Sequence, residues 1–280
     1  MVIGDALRQA AQQLASAGVQ TAMLDARVLL MDILKADAVY LAVHRADVLT
    51  PEQQERYESA VRRRAAHEPV AYITGEREFM SLSFLVQKGV LIPRPDTEIL
   101  AEYAIARCRG LRQPAVLDIC TGSGALAVSI AHDVPDAQVT AVDISDIALA
   151  AADQNAARNG VEVAVVKLDV LRGLNGLAGR FDVAVSNPPY VRRKEIEALE
   201  PDVREYEPAL ALDGGADGLD FYRALVRYVP QRLKKGGILA FEVGYNQAEA
   251  VSALMADRFE KLEWKRDLAG HVRVVAGCLR

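Results

Sequence analysis

The sequence predicts an α/β fold, a mostly parallel and doubly wound sheet with an antiparallel last strand, preceded by a small helical domain and a β-hairpin. Three observations carry that expectation. Beyond Pro93-Arg94-Pro95, short apolar runs alternate with amphipathic helical stretches, as a parallel sheet covered on both faces requires. Within this region Val116-Leu117-Asp118-Ile119 breaks into a glycine turn and then into a helix. Ahead of it, apolar positions recur at three- and four-residue steps with no strand pattern.

In chain order, Leu24, Val28, Leu29 and the run from Met31 to Leu34 form the apolar stripe of a helix that Thr21 is placed to cap. A second helix starts after Thr50-Pro51 and runs toward Arg64, since the N–H that proline lacks has no partner in a first turn anyway. Residues 1–74 are therefore expected to form a helical domain that recognises a partner. Residues 75–93 are expected to be a hairpin linker turning at Gln87-Lys88-Gly89. Residues 94–280 supply the sheet, with strands at 115–119, 138–144, 162–168, 181–186 and 237–243 and two more near the end. Gly270 to Gly277 alternates polar and apolar positions, the pattern of the antiparallel last strand.

A chain of 280 residues, 51% hydrophobic and 25% charged, can bury one large core or two unequal ones. It contains no apolar run long enough to span a bilayer, and its start lacks a basic segment followed by an apolar block, so a cytoplasmic, monomeric protein without a membrane partner is expected. The three cysteines, Cys108, Cys120 and Cys278, and the four scattered histidines suggest neither a disulfide framework nor a metal. A net charge of -5 argues against direct nucleic-acid binding, although Arg62-Arg63-Arg64 and Arg192-Arg193-Lys194 form local basic runs.

The turn Cys120-Thr121-Gly122-Ser123-Gly124 lets backbone approach a ligand and presents a helix N-terminus to it. Asp143, at the end of the next strand, is placed to accept ribose hydroxyls. These two features imply a nucleoside-containing cofactor and leave a methyltransferase and a dehydrogenase equally open. Asp169, followed by Val170, stands where it can accept from an adenine amine or simply cap its own turn.

Asn187-Pro188-Pro189-Tyr190, at the end of the fourth strand of the sheet, decides between them. The Asn187 side-chain oxygen and the Pro188 carbonyl are two acceptors on a rigid backbone, suited to both hydrogens of one planar NH₂ group, while Tyr190 packs on the substrate. Such a group is a poor nucleophile, so alignment toward a methyl sulfonium must supply much of the catalysis.

These motifs resemble the HemK/PrmC family of peptide chain release factor glutamine methyltransferases, which share a Rossmann-like class I methyltransferase sheet. Similar stretches are Leu24-Asp25-Ala26-Arg27, Pro93-Arg94-Pro95-Asp96-Thr97-Glu98, Glu207-Pro208-Ala209-Leu210, Asp217-Gly218-Leu219-Asp220-Phe221-Tyr222, and Glu242-Val243-Gly244 with Gln247. The resemblance implies methylation of the glutamine amide in the Gly-Gly-Gln motif of class-1 release factors by S-adenosyl-L-methionine. It places Cys120 to Gly124, Asp143, Asp169, Val170 and Asn187 at the cofactor, and Asn187 to Tyr190 at the glutamine. Cys120 stands where the family usually has glycine, and Val170 where an aromatic is usual; nothing basic beside Cys120 would activate its thiol. Alternatives are a ribosomal-protein glutamine methyltransferase, a nucleic-acid N6-adenine methyltransferase and a non-catalytic release-factor-binding protein.

Overall fold

Nine strands form in this computed structural model, which describes all 280 residues. They are β1 (Glu76–Phe79), β2 (Leu82–Leu85), β3 (Ala115–Ile119), β4 (Gln138–Asp143), β5 (Ala164–Lys167), β6 (Phe181–Ser186), β7 (Leu233–Glu242), β8 (Phe259–Arg266) and β9 (Val272–Leu279). The last seven make one sheet in the order β5-β4-β3-β6-β7-β9-β8, parallel from β5 to β7 and antiparallel at both neighbours of β9. The last strand is thus interior, and β8, with its charged Glu-Lys-Leu-Glu-Trp-Lys-Arg run, takes the edge.

The central strands are mostly apolar because helices cover both faces. Successive residues enter opposite cores: Val116, Val183, Val185 and Ala240 pack with Leu100 and Leu126, while Leu117, Ala184, Leu239 and Phe241 pack with Tyr222 and Val251. That two-residue alternation of side chains is what a strand's pleat imposes.

The hairpin forms, but its turn is elsewhere than expected. Met80 and Ser81 both have positive φ, 52° and 60°, and connect β1 to β2 in two residues. Two left-handed residues match the strands' twist, and Met-Ser carries none of the asparagine or glycine that usually announces such a turn. Nor does it behave as a loose linker. Phe79 and Phe84 are buried in the core beside Leu100 and Ala104, and Asn155 accepts from the Leu85 amide at 2.7 Å while donating to its carbonyl at 3.0 Å.

Two units divide the chain: Met1–Glu76 with Glu200–Tyr206, and Arg77–Leu199 with Glu207–Arg280. The division is not sequential, since Glu200–Tyr206 falls within the 94–280 stretch. In the first unit the helices Ile3–Ser16, Ala22–Leu34 and Pro51–Ala65 enclose Leu14, Leu29, Leu30 and Tyr57. Thr50 and Gln53 complete a capping box, each accepting from the other's backbone N–H. Thr21 occupies the cap position of its helix without a side-chain bond, its backbone (φ -95°, ψ 25°) being turned away from the extended geometry that a cap needs.

Two of the three arginines ending this unit's long helix are paired within the unit. Buried Arg64 donates from Nε to Asp25 at 2.7 Å and reaches Asp202 at 3.8 Å, and Arg63 pairs with Glu68. Tyr206 donates its hydroxyl to the Ala66 carbonyl at 2.6 Å. These contacts bring Glu200–Tyr206 into the first unit.

Candidate active site

The site lies where the strand order reverses, between β3 and β6, the usual place for a ligand crevice in an open sheet. Ile119 stands opposite Ser186, whose hydroxyl donates to the Ile119 carbonyl at 2.6 Å. The glycine turn and the Asn-Pro-Pro-Tyr segment therefore leave the sheet side by side.

Asp118 shapes the turn. Fully buried, its Oδ2 accepts from the Thr121 hydroxyl at 2.6 Å and from the Ala127 amide at 3.2 Å, tying strand, turn and the first turn of helix Ala125–Asp133 together. Its Oδ1 has no hydrogen bond, and burial pushes the carboxyl up to about 7. Asp118 has no role in the motifs drawn from the sequence, although an acid in an apolar run just before Thr-Gly is itself a signal.

Cys120 has φ 61°, a left-handed conformation that glycine adopts without cost, which accounts for the family's usual residue there. Burial and the negative charges of Asp143 and Asp118 raise its thiol pKa well above the ordinary value, so it stays protonated. At Gly122 (φ 56°) a Cβ would meet nothing, and the residue lines the cleft with Thr121 and Ser123. Gly124 does not line it. A Cβ there would stand 3.0 Å from Ala152, so that glycine lets helix Asp146–Arg158 approach.

Asp143 faces the turn across the cleft. One oxygen accepts from the Gly122 amide and the other from the Ser145 amide, both at 3.0 Å, and desolvation by burial raises its pKa. A carboxylate offers about four acceptor positions, so acceptor capacity remains for a hydroxyl of a ligand. Asp169 also borders the cleft, with its oxygens engaged by the Leu171 amide at 3.1 Å and Arg172 at 3.0 Å. Buried Val170, with Leu168 and Leu171, makes the adjoining wall apolar. The whole cleft, mouth included, encloses about 1130 Å³.

On the β6 side, Asn187 and Pro189 are among the residues that line the cleft. Asn187 donates from Nδ2 to the Thr97 hydroxyl oxygen at 3.1 Å, which leaves Oδ1 as its acceptor. Tyr190 donates its hydroxyl to Glu242 Oε1 at 3.3 Å; burial, reinforced by Glu242, raises its pKa. Glu242 itself is buried, and desolvation pushes it up to about 7 against the stabilising hydrogen bonds of Thr97 and Tyr190.

A clamp holds this segment from outside. Gln247 donates from Nε2 to the Tyr190 carbonyl at 3.0 Å and to the Gly218 carbonyl at 3.2 Å, and accepts from the Gly244 amide at 3.0 Å. A Cβ on Gly214 would fall 2.7 Å from the Tyr190 Cα. In the basic run that follows, Arg192 pairs with Glu195 and Arg193 with Asp213. Thr97, Glu242 and Gln247 came to notice only as letters of the family's motifs. Their partners are remote in sequence, and no spacing could have shown them.

Two family models match, the PrmC N-terminal domain over residues 5–75 and the methyltransferase small domain over residues 96–203. Release factor glutamine methyltransferase of Geobacter sulfurreducens is 45% identical, covering 87% of this chain and 84% of its own length. The protein of the same name from Cereibacter sphaeroides is 41% identical over 100% of this chain and 99% of its own. Among solved structures, a methyltransferase from Pyrococcus furiosus shares the fold, with a TM-score of 0.52 and 18% identity over 82% of this chain and 98% of that one. Full-length identity at this level, with a sheet whose glycine turn and Asn-Pro-Pro-Tyr segment share one crevice, means that the chain belongs to the release factor glutamine methyltransferase family and is an S-adenosyl-L-methionine-dependent enzyme.

Proposed function

We propose that this enzyme methylates the side-chain amide nitrogen of the glutamine in the Gly-Gly-Gln motif of class-1 peptide chain release factors. The observation that carries the reading is the state of Asn187: one N–H of its NH₂ is committed to Thr97, which leaves its oxygen, together with the Pro188 carbonyl, as the acceptors for an incoming NH₂. The residues suit the donor as well. Asp143 keeps acceptor capacity for a ribose, the wall of Leu168, Val170 and Leu171 offers an apolar face to a base, and Gly122 leaves room at the turn.

The bound donor supplies an electrophilic methyl group. The chain's part is to hold the amide nitrogen in line with it and to accept hydrogen bonds from both N–H groups as positive charge builds on nitrogen. Alignment and preorganised acceptors do this work without a covalent enzyme intermediate.

The net charge of -5 and the carboxylate pairing of Arg63, Arg64, Arg192 and Arg193 favour a protein substrate over nucleic acid. We assign substrate recognition to the first unit, where Leu24, Val39 and Val43 are exposed apolar side chains, and place the enzyme in the cytoplasm with its translation-factor substrate. The test is labelled methyl transfer to purified release factor, to its Gln-to-Ala variant and to DNA, with mass spectrometry locating the product. Label on the Gly-Gly-Gln glutamine alone is expected; label on the variant or on DNA would overturn the reading. Asn187→Ala should lower turnover by about 3–4 kcal/mol of transition-state stabilisation, the typical worth of one preorganised hydrogen-bonding group.

A further inference from the structure

We propose that Thr97 and Glu242 are positioning residues, a buried hydroxyl and carboxylate that fix which way the Asn187 amide faces and hold Tyr190 in place. The inference rests on the reading that Asn187 receives the substrate amide.

An asparagine side chain can present its oxygen or its NH₂ to a site, and only the oxygen is useful to an incoming NH₂ group. Nothing in Asn187 alone makes that choice. Thr97 makes it only if its own hydroxyl proton is committed elsewhere, because a free hydroxyl could equally donate to the asparagine oxygen and reverse the amide.

Glu242 removes that freedom. Thr97 and Glu242 are both buried, and Glu242 Oε2 has no hydrogen-bond partner, so the hydroxyl proton and the bare carboxylate oxygen are each costly unless they face one another. Hydrogen bonding from Thr97 and from Tyr190 stabilises the Glu242 charge. The direction we infer then runs one way: Asn187 donates to Thr97, Tyr190 donates to Glu242 Oε1, and the Thr97 hydroxyl proton, which Asn187 does not use, is left for the carboxylate. Thr97 sits in the first turn of helix Pro95–Cys108 and Glu242 ends β7, so both are anchored in regular structure.

The test compares Thr97→Val, Thr97→Ser, Glu242→Gln, the Thr97→Val/Glu242→Gln double variant and Asn187→Ala in the full-length enzyme. Each is measured for turnover on release factor, affinity for S-adenosyl-L-homocysteine and thermal midpoint. Thr97→Val should lose tenfold or more in kcat with cofactor affinity within about threefold of wild type, and Thr97→Ser, which restores the hydroxyl, should recover it. The double variant should be no slower than the slower single one, because both break one chain of contacts. Wild-type kcat in Thr97→Val, no recovery in Thr97→Ser, or losses that multiply in the double variant would each overturn the relay. Asn187→Ala separates the two claims: if it turns over normally the acceptor reading itself fails, whereas if it is slow and Thr97→Val is not, only the relay fails.

Discussion

At the scale of single residues, the Asn-Pro-Pro-Tyr segment is held by close backbone approach more than by its own rigidity. Gly218 has φ 78°, and a Cβ there would lie 2.5 Å from the Tyr190 carbonyl oxygen and 2.7 Å from Gln247 Nε2, the pair whose hydrogen bond closes the clamp. Gly218→Ala should therefore cost about 2–4 kcal/mol, combining left-handed strain with displacement of packed atoms, and should slow methyl transfer by shifting Tyr190. Gly179, also at positive φ but with open space around it, is the control: its alanine variant carries the backbone cost alone, about 1 kcal/mol, and keeps its turnover. Urea denaturation and initial rates on the two variants check this, and equal behaviour would show that the close approach is unimportant.

At the scale of elements, the hairpin is part of the catalytic unit's wall, and one side chain secures it. Asn155, fully buried, bonds both backbone groups of Leu85 and also donates to the Ser123 carbonyl of the glycine turn at 2.9 Å. Asn155→Ala leaves three backbone groups without that partner and should cost about 3 kcal/mol. Hydrogen exchange should accelerate at the Leu85 amide before it does in β3; protection retained at Leu85 would refute the link. What was legible in the sequence follows the same division. β3 and β6 could be read to the residue because a strand buried on both faces is a short, mostly apolar run, and the turns after them because glycine and proline mark abrupt changes of backbone. The hairpin's turn was misplaced because Met80 and Ser81 give no such mark. The return of Glu200–Tyr206 to the first unit was invisible, since it depends on Arg64 and Ala66 meeting Asp202 and Tyr206 far along the chain.

At the scale of the whole molecule, buried acids set an unusual dependence of stability on pH. Burial pushes Asp118 and Glu242 each up to about 7 from ordinary values of 3.8 and 4.5. A carboxyl with a raised pKa binds its proton more tightly in the folded chain than in the unfolded one. Between about pH 4 and 7 the folded state then holds protons that the unfolded state has released, so these groups lower stability as pH rises through that window and add no further change above it. The slope is at most about 1.4 kcal/mol per pH unit for each proton. The lowered carboxyls Asp213, Asp217 and Asp267 pull the other way; Asp213 and Asp217 are paired with arginines at the surface, where such pairs contribute little. Asp118→Asn removes one titration while keeping an acceptor for Thr121 and Ala127. Its unfolding free energy, measured in urea from pH 5 to 8, should fall less steeply with rising pH than that of the wild type. If the two curves run parallel across the window, the Asp118 carboxyl is already ionised at pH 5 in the folded protein, and the charge beneath the cofactor turn would have to be met by Thr121 and Ala127 alone.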